Sequence, residues 1–153
     1  MSTNSTIIVK VRKNDVGKEM KFSKDKLPCS LEKWNGYNDE VDVEKSKHVK
    51  LSEYIGIYCH WDGYESGVGA ALKERFNDYD SILNLVLGGF CSSITSDSVR
   101  HYANRKGEEW KYIKPTTADS VEDVVSQIPN QYTYLYDEEN GWRMKVGNNF
   151  KPY

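Results

Sequence analysis

The segment "IYCHWDGYESGVGAAL", Ile57–Leu72, sets Cys59, His60, Trp61, Asp62 and Tyr64 beside the glycines Gly63, Gly67 and Gly69. Three kinds of chemistry suit such residues. His60 and Asp62 offer a base and an orienting carboxylate. Cys59 precedes His60 directly, so on a strand the two point to opposite faces and do not make a nucleophile pair. His60, Asp62 and His101 carry metal-ligand atoms, but no His-x-x-x-His spacing supports a metal site, and none is assigned. The third is anion binding. A strand ending at His60–Trp61–Asp62 and a helix starting near Ser66 form a corner where unpaired N–H groups and the helix dipole favour a phosphate or carboxylate. Gly63, Gly67 and Gly69 would let it approach the backbone. The spacing is neither the Walker A pattern nor G-x-G-x-x-G.

A second constellation follows in "SVRHYANRKGEEW", Ser98–Trp110, where Arg100, His101, Arg105 and Lys106 alternate with Tyr102 and Trp110. Cations beside rings match an anionic aromatic ligand such as a nucleotide. Ser92 and Ser93, just upstream, offer hydroxyl groups. Each of these residues also has a purely structural reading: glycines for tight packing, Asp62 or Ser66 as a helix cap, Trp61 as core, His60 bonded to a carbonyl, arginines as solvated surface.

These residues need elements to position them. "TIIVKVRK" alternates Ile7, Val9 and Val11 against Ile8, Lys10 and Arg12, the period of a strand. A turn at Asp15–Gly17 would return a partner strand. Residues 24–50 are polar and read as a surface insertion, with a short strand through Val41 and Val43. "VKLSEYIGIYCHW" predicts a central strand with Ile55, Ile57 and Cys59 on one face and Tyr54, Tyr58 and His60 on the other. Val68, Leu72 and Phe76 recur at helical spacing after the glycine corner. A second helix follows, with Asp80 as N-cap, Ile82, Leu85 and Val86 inward, and Gly88–Gly89 as its stop. "ADSVEDVVSQIPN" predicts a third, with Asp119 and Glu122 as a capping box and Pro129 beyond its end. In "QYTYLYDEENGWRMKV", Asn140–Gly141 favours a type I′ hairpin with Glu138 opposite Arg143 and Leu135 opposite Val146. That register puts Leu135, Trp142, Met144 and Val146 on the core face, and Tyr132, Tyr134, Tyr136, Arg143 and Lys145 on the other. Strands at both ends with helices between them predict a single α+β domain over 1–153, a mainly antiparallel sheet packed on two or three helices.

The composition narrows the function. The chain has 153 residues and a net charge of −2, which argues against gripping duplex nucleic acid by bulk electrostatics. Cys29, Cys59 and Cys91 are odd in number and widely spaced, so no disulfide framework or zinc ribbon is expected. No leader or membrane-spanning run stands out, and a cytoplasmic location is expected. No cofactor motif occurs.

Four stretches, "YCHWDGYESGVGAALKERFND", "LGGFCSSI", "YANRKGEEW" and "YTYLYDEENGW", together resemble a set of small phage and prophage proteins with a His-Trp-Asp-Gly-Tyr-(Pro)-x-x-Val-Gly motif. Glu65 stands where that set has Pro, "ANRKG" replaces a more charged stretch and leaves Asn104 where an acid would serve, and the first 50 residues look expanded. The resemblance implies a phage context, in the cytoplasm of an infected bacterial cell, rather than a reaction. It suggests a counter-defence accessory factor, more readily a binding module than an enzyme. The leading expectation is a nucleotide-type host signal held by His60, Trp61, Asp62, Gly63, Tyr64, Gly67, Gly69, Arg100, His101 and Arg105. The helix start would take phosphate, Arg105 would neutralise charge, and Trp61 or Tyr64 would stack on a base. Two alternatives stand beside it: an anti-CRISPR-like inhibitor that blocks a host defence nuclease with the Tyr132/Tyr134/Tyr136 face, and a small phosphohydrolase using His60 and Asp62. A homo-oligomer is compatible with each.

Overall fold

Ser5, Thr6, Ile7, Ile8 and Val9 are all buried, so the first strand is covered on both faces rather than one. That demand organises the rest. A computed structural model describes residues 3–32, 34, 47–105 and 107–153. In chain order its strands are β1 (Ser5–Lys10), β2 (Glu19–Met20), β3 (Ser30–Leu31), β4 (Val49–Lys50), β5 (Tyr54–Cys59) and β6 (Cys91–Ile94). They continue as β7 (Ser98–His101), β8 (Thr116–Ala118), β9 (Tyr132–Asp137), β10 (Gly141–Val146) and β11 (Asn149–Pro152). The helices are α1 (Ala70–Arg75), α2 (Tyr79–Leu87), α3 (Trp110–Ile113) and α4 (Val121–Gln127).

The main sheet runs β11-β10-β9-β1-β5-β6-β7-β3, with β8 also paired to β5. Most neighbours are antiparallel; β1–β9, β5–β6 and β3–β7 are parallel. This is the expected α+β domain with a mixed sheet. Ile7, Val9, Ile55, Ile57 and Cys59 face α1 and α2, which supply Leu72, Ile82, Leu85 and Val86 to the larger core. Ile8 and Leu135 face the opposite way and pack under Val124 and Ile128 of α4. The helix can come this close because Gly56 lies beneath it: a Cβ there would sit 2.6 Å from Val124 Cγ1. No described helix is long and apolar enough to cross a membrane.

Several local expectations are corrected. The strand after the first turn pairs not with β1 but with β4, in a separate two-stranded sheet. Within the polar 24–50 segment, β3 joins the main sheet beside β7 and β4 joins β2, while Val41 and Val43 lie outside the described residues. The N-cap of α2 is Asp78, whose carboxylate accepts the Ser81 N–H at 3.0 Å, rather than Asp80. α4 is capped by Ser120, which accepts the Asp123 N–H at 3.1 Å, rather than by an Asp119–Glu122 box.

The closing hairpin differs most. Asp137 pairs with Gly141, and Leu135 with Arg143, so the loop holds three residues instead of two. Asp137 Oδ1 accepts the Asn140 N–H at 2.7 Å and so organises the loop. Gly141 alone is left-handed there, φ 68°, whereas a type I′ turn needs two such residues. The register shifts by an odd number, which turns one strand's faces over relative to the other. Tyr134, Tyr136 and Trp142 therefore share the larger core, and Arg143 stands with Leu135 on the opposite face, in an ion pair with Asp137 at 2.6 Å.

Gly56→Ala is expected to lower the unfolding free energy by about 1–3 kcal/mol through overpacking against Val124. The Gly56→Ala/Val124→Ala pair should cost less than the sum of its single variants in urea denaturation, because the smaller side chain removes the clash.

Candidate functional site

β5 does not stop pairing at Cys59. The His60 N–H donates to the Cys91 carbonyl at 3.1 Å and the Trp61 N–H to the Ser92 carbonyl at 3.0 Å, carrying the chain along β6. Asp62 then takes φ 55°, a left-handed conformation that Asp tolerates better than most residues, and the chain turns. The Gly63 N–H donates to the Thr3 carbonyl at 2.8 Å.

All three corner glycines make room for the protein itself. A Cβ at Gly63 would lie 2.7 Å from the Asn4 carbonyl carbon, and one at Gly69 would lie 3.0 Å from the Tyr134 hydroxyl. At Gly67 it would run into the Asp62 carbonyl. The N–H groups expected to await an anion are engaged as well. Those of Gly67 and Gly69 donate to the Tyr64 carbonyl at 3.0 and 3.3 Å, and that of Val68 to the Asp62 carbonyl at 2.8 Å. Helical turns do begin at Glu65, as one π-type turn leading into α1. The amides of Gly67, Val68 and Gly69 within it are taken by the protein's own carbonyls, so the glycine backbone is not where a phosphate would be held.

The side chains make a different arrangement. His60 Nδ1 lies 2.5 Å from the Tyr58 hydroxyl, and its ring meets the Trp61 ring edge to face at 4.6 Å. Burial raises the Tyr58 pKa, which keeps it a neutral phenol and a proper partner for the imidazole. Asp62 does not orient His60; it accepts the Tyr64 hydroxyl at 3.1 Å, a bond that raises the Tyr64 pKa. The base–carboxylate dyad of the hydrolase reading is therefore absent. Cys59 is sealed in the core, its thiol pushed up to about 12 by burial, and is no nucleophile. Trp61 and Tyr64 are 45% and 39% exposed and form an aromatic rim.

Ser92 connects this corner to the second constellation. Its carbonyl holds Trp61, and its buried hydroxyl accepts from Arg100 Nη2 at 3.2 Å. The Arg100 guanidinium lies over the Trp34 ring, 4.4 Å from its centroid, and Arg105 approaches the same ring at 5.2 Å. Trp34 is fixed by donating its Nε1–H to the His101 carbonyl at 3.0 Å and by the Tyr102 ring at 5.4 Å. Arg105 also pairs with Glu108 at 3.8 Å. Arg100 has no carboxylate partner among the described residues, and its buried Nε has no hydrogen-bond partner.

Along this part of the sheet stand two groups, Trp61 against His60 and Trp34 against Arg100 and Arg105, joined through Ser92, whose carbonyl takes the Trp61 N–H and whose hydroxyl takes Arg100. Trp34 was not foreseen; a single Trp within a polar segment was its only signal. His101 is the expected residue that lies elsewhere. It follows Arg100 by one position, so it points through the sheet into the α2 core, fully buried, beside Gly88 and against Phe22. Its Nε2 donates to the Leu85 carbonyl at 3.0 Å near the end of α2. The nuclease-blocking face is also displaced: Tyr134 and Tyr136 are buried, across the sheet from Arg143. No group of three metal-ligating side chains occurs among the described residues. No protein-family model, curated protein or solved structure matches the chain.

His101 supplies a pH-dependent stability. Burial lowers its pKa from 6.5 to about 4, against a small opposing effect of the Leu85 carbonyl. Between those values the unfolded chain binds the proton and the folded chain does not, so stability falls as pH drops through this window and is flat above it. Urea titrations should show a loss of about 3 kcal/mol across the window, and His101→Gln, less stable overall, should show no such slope there.

Proposed function

We propose that the protein binds a small anionic ligand carrying an aromatic ring, a nucleotide-type host signal, on the sheet face between Trp61 and Trp34. In this reading it is a phage-type accessory factor that acts in the cytoplasm of the infected cell by sequestering that signal from a defence system. The observation that carries the reading is Arg100. A guanidinium stacked on a tryptophan, bonded to a buried serine hydroxyl and left without a carboxylate is arranged to receive an oxyanion. Arg105 adds a second guanidinium beside the same indole, 5.2 Å from its centroid. His60, held at Nδ1 by Tyr58, leaves its other nitrogen for a ligand, and the exposed Trp61 and Tyr64 offer faces on which a base can stack.

Binding without turnover is the favoured form, because His60 is held by the Tyr58 phenol while Asp62 is engaged by Tyr64 instead of orienting it. The resemblance to phage proteins supports the biological setting and not the ligand.

Isothermal titration with a panel of cyclic nucleotides and ADP-ribose-type nucleotides is expected to find a ligand whose affinity falls about ten-fold or more in Arg100→Gln, the worth of one charge-assisted contact. Trp61→Ala should weaken the same ligand by a comparable factor through lost stacking. Binding left unchanged by both substitutions would remove this face as the site, and a panel with no binder would refute the reading.

A further inference from the structure

We propose a second site of a different kind: the cleft beside α3 holds a short run of single-stranded nucleic acid. The cleft encloses about 500 Å³ between β4, the turn of α3 and β8. Its lining holds three lysines, Lys50, Lys111 and Lys114, together with His48, its rings include Trp110 and Tyr112, and no described carboxylate lines it. In a chain of net charge −2 this is a local concentration of positive charge against the global sign.

The geometry follows from how α3 is anchored. Ile113 is buried and its carbonyl accepts the Phe90 N–H at 2.8 Å, while Trp110 lies against Gly89, where a Cβ would be 2.9 Å from the indole. With both ends of the turn fixed, Lys111 and Tyr112 project outward, and Tyr112 is 70% exposed. A large ring held so far into water gains nothing for the fold. Lys47 is already engaged, its Nζ 5.6 Å from the Trp110 ring and donating to the Ala103 carbonyl at 3.5 Å.

Three lysines, Lys50, Lys111 and Lys114, face the cleft and are available to phosphate. Lys111 meets Glu109 at 3.4 Å, but both are about two-thirds exposed, a pair worth little in water. Lys50 and Lys114 make no ion pair among the described residues, although Glu19 is the register partner of Lys50. Trp110 and Tyr112 line the same cleft as Lys50, Lys111 and Lys114, so a base can stack on the exposed Tyr112 ring while the lysines neutralise the backbone. A duplex keeps its base faces stacked and cannot use the rings, and an acidic peptide would use only the lysines. The favoured occupant is therefore a single strand.

The test is fluorescence anisotropy with a labelled oligo-thymidylate of about 15 nucleotides, near the upper end of site sizes for one small module. Saturable binding is expected, with log affinity falling against log salt at a slope of about −2 for three lysine–phosphate contacts. In Lys111→Gln/Lys114→Gln that slope should shrink to about −0.7. Tyr112→Ala, at an exposed position that leaves folding intact, should weaken binding by about five- to a hundred-fold through one lost stacking contact. Arg100→Gln should leave this affinity within about two-fold, and Lys114→Gln should leave any nucleotide binding at Arg100 unchanged, so the two sites fail separately. No saturable signal up to about 100 µM protein at low salt, the weak end of non-specific binding, would overturn the proposal. So would equal affinity for a duplex of the same length, indifference to Tyr112→Ala, or displacement by poly-glutamate as effective as by unlabelled oligonucleotide.

Discussion

The arrangement of the molecule depends on how β5 shares its second edge. Its first edge is fully occupied by β1, from Ser5 opposite Cys59 to Lys10 opposite Tyr54. Its second edge is divided. β8 takes Tyr54 to Gly56, running antiparallel, and β6 takes over in the parallel direction only at Cys59. Ile57 and Tyr58 lie between the two pairings with no register partner on this edge among the described residues, and beside this divergence Phe90 packs: its N–H holds the end of α3 and its ring meets Tyr58 at 5.8 Å. Both proposed sites border this divergence. His60, Ser92 and Arg100 lie on the β6 side, and the lysine-lined cleft, of which Phe90 is one wall, lies on the β8 side.

Electrostatics at the two places have different origins. At Arg100, a single guanidinium is pinned between an indole and a hydroxyl and is partly withdrawn from water, which strengthens whatever oxyanion meets it. At the cleft, the charges are long flexible ammonium groups in full contact with solvent, suited to a polyanion that is gripped loosely and released by salt. Elsewhere on the surface cations are paired locally, as in the Arg12–Glu138 contact at 2.6 Å.

Much of the frame was legible in the sequence because it rests on periodicity. The alternation of Ile55, Ile57 and Cys59 against Tyr54, Tyr58 and His60 sets the faces of β5 correctly, and Val124 and Ile128 do face the sheet. The hairpin misled because Asn140–Gly141 carries the mark of a two-residue turn, while Asp137, three residues before Asn140, captures its N–H and selects a longer loop. That choice turns three tyrosines inward, and no residue inside the strands signals it. The corner glycines misled for a related reason. Room beside a backbone is the same whether a ligand or Asn4 and Tyr134 will fill it, and only the long-range fold decides. His101 could be separated from Arg100 by parity alone once β7 was recognised, but a segment of cations and rings gives no period to read. Trp34 came from a part of the chain where no pattern singles it out.

The parallel pairing of β1 with β9 has a consequence for how the protein is made. Thr6 donates its hydroxyl to the Ile128 carbonyl, residues 122 apart, and the neighbouring register sets Ser5 beside Tyr132. During synthesis the amino-terminal strand leaves the ribosome long before its second partner exists, and it carries a run of apolar residues that is covered on both sides only at the end. Until β9 emerges, one flank of β1 has unsatisfied amides and the sheet has an adhesive border. Completion of the sheet thus waits for β9, and until then the open edge of β1 is a place where another strand can pair.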